Sequence, residues 1–239
     1  ATLDGAHVDI ALIDTIVPDT STAKTLWKIY ADSLTINQSQ VALHMPGDTM
    51  SVNAWLGHAA AYTGEIDLGQ ERYSVGRFVV NDGKLKYDQN YEPSIDGFDY
   101  NHIALDGLQI DIDSIWYQEP RLNLNVRQMA MRDKSGLEIT ELKGPFSMDA
   151  TSISLPHAKL RTLDSDVEAE FEMDTNAFDS MNPGALRLRL NAQLGKQDLL
   201  RFVGGLPQQV QQRWPNYPLS IRGSVNGNME SADFSGLIV

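Results

Sequence analysis

Cysteine is absent from this sequence of 239 residues. Its absence excludes a disulfide framework, a zinc site built from thiolates and a cysteine nucleophile. Long apolar runs are absent too: no stretch of about eighteen apolar residues occurs, so no segment of the sequence is predicted to cross a membrane as a helix. Residues Ala1 to Asp9 also lack the charged segment and the apolar run of a signal peptide.

Basic residues are scarce. The 19 Lys and Arg residues stand against 32 Asp and Glu, which gives a formal net charge of −13 and a pI near 4.7. This balance argues against nonspecific nucleic-acid binding and against docking on an anionic membrane through a basic patch. Hydrophobic residues make up 42% of the chain, so it can bury a core. The length allows one large domain, two small domains or an elongated repeat.

Motifs for catalysis are missing as well. The sequence has no H-E-x-x-H metal pattern, no G-x-S-x-G elbow and no phosphate-binding loop. The five scattered histidines are interpreted as surface or packing residues: His7, His44, His58, His102 and His157. We therefore predict no catalytic residue, no metal site and no cofactor. A glycan hydrolase is the enzyme alternative, and it needs two carboxylates about 5–10 Å apart in a cleft.

Alternation of apolar and polar residues, the signal of β-strands, dominates the sequence. The alternating runs include Val8 to Leu12, Val41 to Met45, Leu108 to Ile112, Leu122 to Val126, Val167 to Met173 and Leu186 to Leu194. Turn residues at 46–48, 82–83, 135–136, 182–184 and 226–227 divide the runs, and some of the glycines are alternatively interpreted as bulges inside longer strands. The spacing of about 8–12 residues per strand predicts an all-β fold.

One segment has helical spacing instead. Gln197 to Val203, followed after two glycines and a proline by Gln208 to Trp214, predicts a short helical insertion near residues 196–214. Pro215 and Pro218 are expected to end it. A weaker helix is predicted at Ser21 to Lys28, where Ser and Thr are poor helix formers.

The stretch DSDVEAEFEMD, Asp164 to Asp174, places six acidic residues at every second position. In a strand these acids line one face and the apolar residues between them line the other. The runs HAKLR (157–161) and LRLRL (186–190) alternate basic and apolar residues in the same way. We expect an acidic strand between two partly basic strands, with ion pairs across the outer face. A calcium site is the alternative, but an extended strand does not converge its carboxylates on one ion.

The apolar sides of these strands are expected to form one shared inner surface, because an apolar sheet face must be covered. One solution is a second sheet, as in a sandwich, and the other is a sheet that curls into a half-pipe whose apolar groove is the working surface. The helical insertion is expected to cover the opening in part. The residues predicted to line the groove are Leu160, Val167, Phe171, Met173, Leu186, Leu188, Leu190 and Leu194.

A diffuse repeat extends along the chain. Each unit begins with apolar residues and continues with an alternating stretch, a small turn or bulge and a second alternating stretch. The units are WKIYADSLTINQSQVALHMPGDT (27–49), GRFVVNDGKLKYDQN (76–90) and HIALDGLQIDIDSIWYQEP (102–120). Residues 134–174 and 217–237 continue the pattern. The pattern resembles the AsmA-like family, in particular its TamB branch, the inner-membrane component of the translocation and assembly module. The resemblance covers essentially the whole chain and rests on no invariant residue.

The resemblance implies a periplasmic location in a Gram-negative bacterium, with anchoring to the inner membrane through a helix outside this sequence. The family's partner is an outer-membrane barrel of the Omp85 type, which is met by a region that this sequence also lacks. The family is associated with outer-membrane protein assembly, protein secretion and phospholipid movement between the two membranes, and it has no catalytic residues. Residues 1–239 are then expected to be one continuous segment of a longer strand array. With this resemblance we predict an elongated, curled antiparallel sheet, a half-pipe of the β-taco type, whose groove holds phospholipid acyl chains or nascent β-strands.

A structural role is the main rival hypothesis. The same strands could form a β-solenoid scaffold or an adhesin-like module with a filled core and no ligand. Side chains packed across the interior would distinguish that fold from an open groove.

Overall fold

The fold is described from a computed structural model, for residues 1–11, 26–45, 47, 49–177, 179, 181–202, 216–228 and 231–238. This part of the chain is almost entirely β, with one short helix. The elements are β1 Thr2–Asp4, β2 His7–Ala11, β3 Lys28–His44, β4 Met50–Asp67, β5 Arg72–Gln89, β6 His102–Gln118, β7 Arg121–Asp133, β8 Glu138–Met148, β9 Ser152–Thr162, β10 Asp166–Asp174, β11 Leu186–Leu194, α1 Lys196–Phe202, β12 Leu219–Gly227 and β13 Ala232–Ile238.

All of the described strands belong to one 13-stranded sheet that is curled and does not close. From β3 to β13 each strand pairs antiparallel with the next, while β1 and β2 both pair in parallel with β3. The connections therefore alternate between two ends of the sheet. We call the end with the connections after β3, β5, β7, β9 and β11 the first rim, and the opposite end the second rim.

The strands β3 to β6 contain two rows of kinks that are aligned across the sheet. The first row is formed by Gln38, Gly57, Asp82 and Gly107, and the second by Asp32, Thr63, Gly76 and Ser114. In each row some residues have left-handed φ angles, among them 59° at Asp82 and 55° at Thr63. Such irregularities bend a strand and increase its twist, so the two rows give the sheet its curl.

Each kink also shifts the apolar alternation by one residue. In β4 the apolar positions before the first row are Val52, Ala54 and Leu56, and those after it are Ala59 and Ala61. The strand continues through the shift, and its apolar side chains stay on one face of the sheet. The change of parity therefore marks a bend and not the end of a strand.

Glycine in the neighbouring strand makes room for each left-handed residue. A Cβ atom on Gly57 would lie 2.7 Å from the carbonyl oxygen of Asp82, and one on Gly76 would lie 3.1 Å from the Cβ of Thr63. The first distance is shorter than any normal contact of a Cβ atom, and the second is tight. A side chain at either glycine would push the two strands apart.

The curled sheet is a single layer and exposes an unusually large surface. The accessible area is 15423 Å², whereas a compact monomer of 26.5 kDa exposes about 10,700 Å². Few large side chains are fully buried, and Val80 is the largest of them. This area is that of the whole chain, and it is the area of an extended fold, larger than that of a compact one.

The predicted all-β fold with a curled antiparallel sheet and a helix starting at residue 196 is confirmed. The predicted strand length of about 8–12 residues is wrong for β3 to β6, which have 17 or 18 residues. The break at Asn81-Asp82-Gly83 is a kink inside β5. Residues 203–215 and most of the weaker predicted helix at 21–28 lie outside the described residues, except that β3 already begins at Lys28.

Candidate ligand groove

The structure places all eight predicted groove residues on one face of the sheet. Val167 lies opposite Leu160 on one side, Phe171 lies opposite Leu188, and Met173 lies opposite Leu186. Directly opposite residues of antiparallel strands share a face, and every second residue along a strand returns to it. Leu190 and Leu194 are therefore on this face too. All eight side chains are half-buried.

The same apolar face extends across the rest of the sheet in continuous cross-strand rows. The central row crosses ten strands and consists of Ile36, Ala59, Val80, Ile110, Met129, Leu142, Leu160, Val167, Ala192 and Ile221. The rim row lies near the second rim and consists of Ile29, Ile66, Tyr73, Tyr117, Leu122, Met148, Ile153, Met173 and Leu186. With strands about 4.8 Å apart, each row is about 40 Å long. Neither row contains a charged residue.

Many side chains on this face stay partly open to solvent. In the rim row Ile66, Tyr73 and Tyr117 are 37–39% exposed, and the two tyrosine rings lie 6.1 Å apart. At the other end of the sheet Phe234 is 78% exposed. It borders an apolar hollow of about 320 Å³ between β11 and β13, which is also lined by Leu190 and Val225. The apolar face is thus available for contact with a ligand.

The opposite face carries the charges. On the acidic strand β10, Asp166 pairs with Arg161 (2.7 Å), Glu168 with Lys159 (3.7 Å), Glu170 with Arg189 (2.8 Å) and Glu172 with Arg187 (3.0 Å). The predicted arrangement of an acidic strand between two basic strands is confirmed. One member of the predicted stripe is misplaced, because Asp164 lies in the turn between β9 and β10.

A second group of ion pairs supports the outer face at the kinked strands. The guanidinium of Arg77 donates two hydrogen bonds of 2.9 Å to the carboxylate of Asp111, and Arg127 lies 3.7 Å from the same carboxylate. The hydrogen bonds from Arg77 lower the pKa of Asp111, and Asp111 in turn raises the pKa of Arg77. Opposite charges are therefore paired at these positions of the outer face, and the two apolar rows contain no charged residue.

Buried carboxylates hold the connections at the first rim. Asp99 accepts hydrogen bonds from the backbone N–H groups of Ile95 and Asn101, both 3.1 Å, and lies 3.1 Å from the imidazole of His102. Burial, the largest single influence, raises the pKa of Asp99, but the backbone donors and the charge of His102 outweigh it and the net pKa is lowered. This role was not predicted, although an Asp followed by turn residues is a recognisable signal.

The helix α1 is fixed to the first rim by a buried polar cluster. The side chain of Asp198 is almost fully buried and accepts hydrogen bonds from the hydroxyls of Thr162 and Ser165, the latter at 2.6 Å. The hydroxyl of Ser165 accepts a 3.0 Å hydrogen bond from the N–H of Gly195. The cluster joins the turn between β9 and β10 to the start of the helix.

In the described part of the chain, no group of three or more His, Asp and Glu side chains is arranged to hold a metal ion. Two of the histidines have hydrogen-bonding partners on the protein, since His58 lies 2.8 Å from the amide oxygen of Asn37 and His102 contacts Asp99. No described helix combines the length and the apolar character needed to cross a membrane.

No protein-family model, curated protein or solved structure matches this chain. The resemblance to the AsmA-like family stays a prediction that rests on the repeat pattern of the sequence.

Proposed function

We propose that this chain is a non-enzymatic carrier segment whose apolar face holds the acyl chains of phospholipids. The observation that carries the proposal is the pair of apolar rows, each about 40 Å long by strand spacing and free of charged residues. Most of their side chains are partly exposed, while Ala59, Val80 and Ala192 are buried. An apolar patch of this size on a soluble protein normally marks an interaction site. Its extent along the sheet suits a long, flexible and apolar ligand better than a compact one.

Acyl chains suit this face better than nascent β-strands do. A strand laid on the rows would bring peptide N–H and C=O groups against side chains that offer no hydrogen bonds, which is costly. A chain of about 14 methylenes would gain about 11 kcal/mol if it left water completely, and an open groove provides a part of this gain. The headgroup would remain in water at the open side.

The biological setting is proposed from the sequence resemblance. In it the segment belongs to a periplasmic protein of the AsmA-like type, TamB in particular, which moves phospholipid between the inner and outer membranes or supports outer-membrane protein assembly and secretion. The inner-membrane anchor and the Omp85-type barrel partner are expectations of the same resemblance. The charged outer face is consistent with an aqueous compartment around the sheet.

Two variants of one strand test the groove. Leu188→Lys places a charge on the apolar face, where Leu188 lies between Phe171 and Val225. The control Gln193→Lys places the same charge on the outer face of β11, opposite Asp166. Native mass spectrometry of gently purified protein measures bound phospholipid.

The wild type and Gln193→Lys are expected to carry lipid, and Leu188→Lys is expected to lose most of it. Urea denaturation of each variant shows that the fold is retained. Wild-type protein without lipid, or equal lipid binding by both lysine variants, would contradict the proposed function.

A further inference from the structure

The helix α1 and the connection between β5 and β6 meet along the first rim. The N–H of Phe98 donates a 3.2 Å hydrogen bond to the carbonyl of Arg201, near the C-terminus of α1. Gly97, with φ 89°, approaches the same carbonyl so closely that a Cβ atom there would lie 2.6 Å from its oxygen. We call α1 together with residues 95–99 the strap.

The strap also reaches the connection between β7 and β8. The guanidinium of Arg201 lies beside Gly136, where a Cβ atom would be 3.5 Å from a guanidinium nitrogen. The same guanidinium donates a 3.1 Å hydrogen bond to Asp198. Asp198 therefore joins the turn after β9 to Arg201, and Arg201 joins the helix to the connections after β7 and β5.

Two residues of α1, one helical turn apart, thus contact three connections of the first rim: the side chain of Asp198 accepts hydrogen bonds from the turn after β9, the backbone carbonyl of Arg201 accepts one from the connection after β5, and the guanidinium of Arg201 lies beside the connection after β7. Strands β5 and β9 are separated by three other strands in the sheet, so the strap spans a large part of the first rim. At the second rim, hydrogen bonds among the described residues link adjacent connections, for example the 3.0 Å hydrogen bond from the side chain of Gln118 to the carbonyl of Gln70.

The strap has the properties of a segment that opens locally. The helix has seven residues, which is too short to be stable without its contacts. The contacts described for it are hydrogen bonds and close approaches to connections, and a segment held in this way at the edge of a sheet opens more readily than the strands of the sheet.

We propose that the strap is a conformational device that holds the first rim of the groove closed and that Asp198 is its fastening. When the Asp198 cluster is intact, the connections after β5, β7 and β9 are held in line and the curl of the sheet is fixed. When it is released, α1 unravels, the connections separate and the groove admits or gives up its ligand. The statement about the ligand rests on the proposed function, while the statement about the rim does not.

Spin labels test the rim without any ligand. Because the chain has no cysteine, Glu92→Cys and Leu163→Cys give one label on each of two connections that the strap joins. Both positions are exposed, Leu163 by 72%. Pulsed electron paramagnetic resonance then measures the distance between the labels.

A narrow distance distribution is expected with the strap intact, and a broad one after Asp198→Ala. Loss of the hydrogen bonds to the buried side chain of Asp198 should raise the fraction of molecules with a detached strap roughly tenfold or more. The matched control is Asp149→Ala, which removes a turn carboxylate at the second rim, where Asp149 accepts hydrogen bonds from Thr151 and Ser152. If Asp198→Ala does not fold, Ser165→Ala provides a milder release of the same cluster.

Uptake of a fluorescent phospholipid from phosphatidylethanolamine vesicles tests the consequence for the ligand. Asp198→Ala is expected to exchange lipid faster than the wild type, and Asp149→Ala is expected to match the wild type. Unchanged distances in the released variants, or equal broadening in Asp149→Ala, would refute the strap. A wild type that takes up no lipid would refute the proposed function, and the distance measurement would still decide the strap.

Discussion

Replacing Gly57 by Ala should destabilise the protein because of the first kink row. A Cβ atom at Gly57 would lie 2.7 Å from the carbonyl oxygen of Asp82 and 3.1 Å from the ring of Trp55. The oxygen belongs to the backbone and cannot rotate away, so β4 and β5 would have to move apart. Overpacking of this kind costs about 1–3 kcal/mol. In a chain of this length that corresponds to a decrease of about 2–12 °C in Tm.

The same strand supplies the control. A Cβ atom at Gly64 would make ordinary contacts, 3.7 Å and 3.8 Å from atoms of Ala31. Gly64→Ala therefore removes backbone freedom from the unfolded chain at no steric cost, and it should stabilise by about 0.4–1 kcal/mol.

Urea denaturation followed by circular dichroism measures both variants, and equal m-values would show that the same surface is exposed on unfolding. We expect Gly64→Ala to be the most stable of the three proteins, the wild type to be intermediate and Gly57→Ala to be the least stable. Equal stability of the two alanine variants would mean that β4 and β5 do not approach each other closely at the kink, and the account of the curl would then be wrong.

Three further outcomes are expected. Thr63→Gly should stabilise by about 0.5–1 kcal/mol in urea denaturation, because a β-branched residue is strained at its φ of 55°; a loss of stability would contradict the left-handed kink. A double-mutant cycle of Glu170 and Arg189 should give a coupling of about 0.2–1 kcal/mol that disappears in about 1 M salt, since the pair is exposed; a coupling that salt leaves unchanged would contradict this account. The pKa values of Asp99 and Asp149 are lowered in the folded state, so their contributions are present above the unfolded value near 4 and are lost as the pH falls through the folded values. The Tm should therefore be steady from about pH 8 to 5 and fall below about pH 4, and Asp149→Asn should reduce the acid loss; an unchanged loss in that variant would contradict the assigned role.

The strands β10 and β11 could be predicted in detail because their alternation is uninterrupted over nine residues, so parity alone identifies the face of each side chain. In β9 the alternation shifts by one residue at a bulge near Pro156 and His157, so parity identifies the faces there only from Ala158 onward. The opposite charges in neighbouring runs then predict which residues pair. Arg161, Glu170 and Arg189 were all placed correctly in this way.

The strands β3 to β6 could not be predicted in the same detail. Each kink shifts the alternation by one residue, and a shift of parity in the sequence has the same appearance as the end of a strand. One of the kinks contains Thr63, a residue that gives no indication of a left-handed conformation, and Asp82-Gly83 indicates a turn between strands as readily as a kink inside one. The accommodating glycines Gly57 and Gly76 lie in the neighbouring strands. Recognising such a kink requires the register between strands, which is a property of the folded sheet.

The strap illustrates a second limit of the sequence. Asp198 was one of 32 acidic residues, and its partners Thr162 and Ser165 precede it by more than 30 positions. The pattern of α1 predicts a helix but does not indicate where the helix packs. Its place on the first rim follows from the path of the chain after β11, which is decided by the assembly of the whole sheet.

The separation of charge and apolar surface explains why a single layer can carry a net charge of −13. On the outer face the carboxylates are spaced along strands and paired with Arg and Lys of the neighbouring strands, so repulsion is offset locally. On the other face no second layer from the described part of the chain covers the apolar rows, so the described strands alone do not gain the full free energy of burying that face. An apolar ligand in the groove would supply the missing layer. Binding and completion of the fold are then one process, in which the ligand takes the place that a second sheet occupies in a β-sandwich.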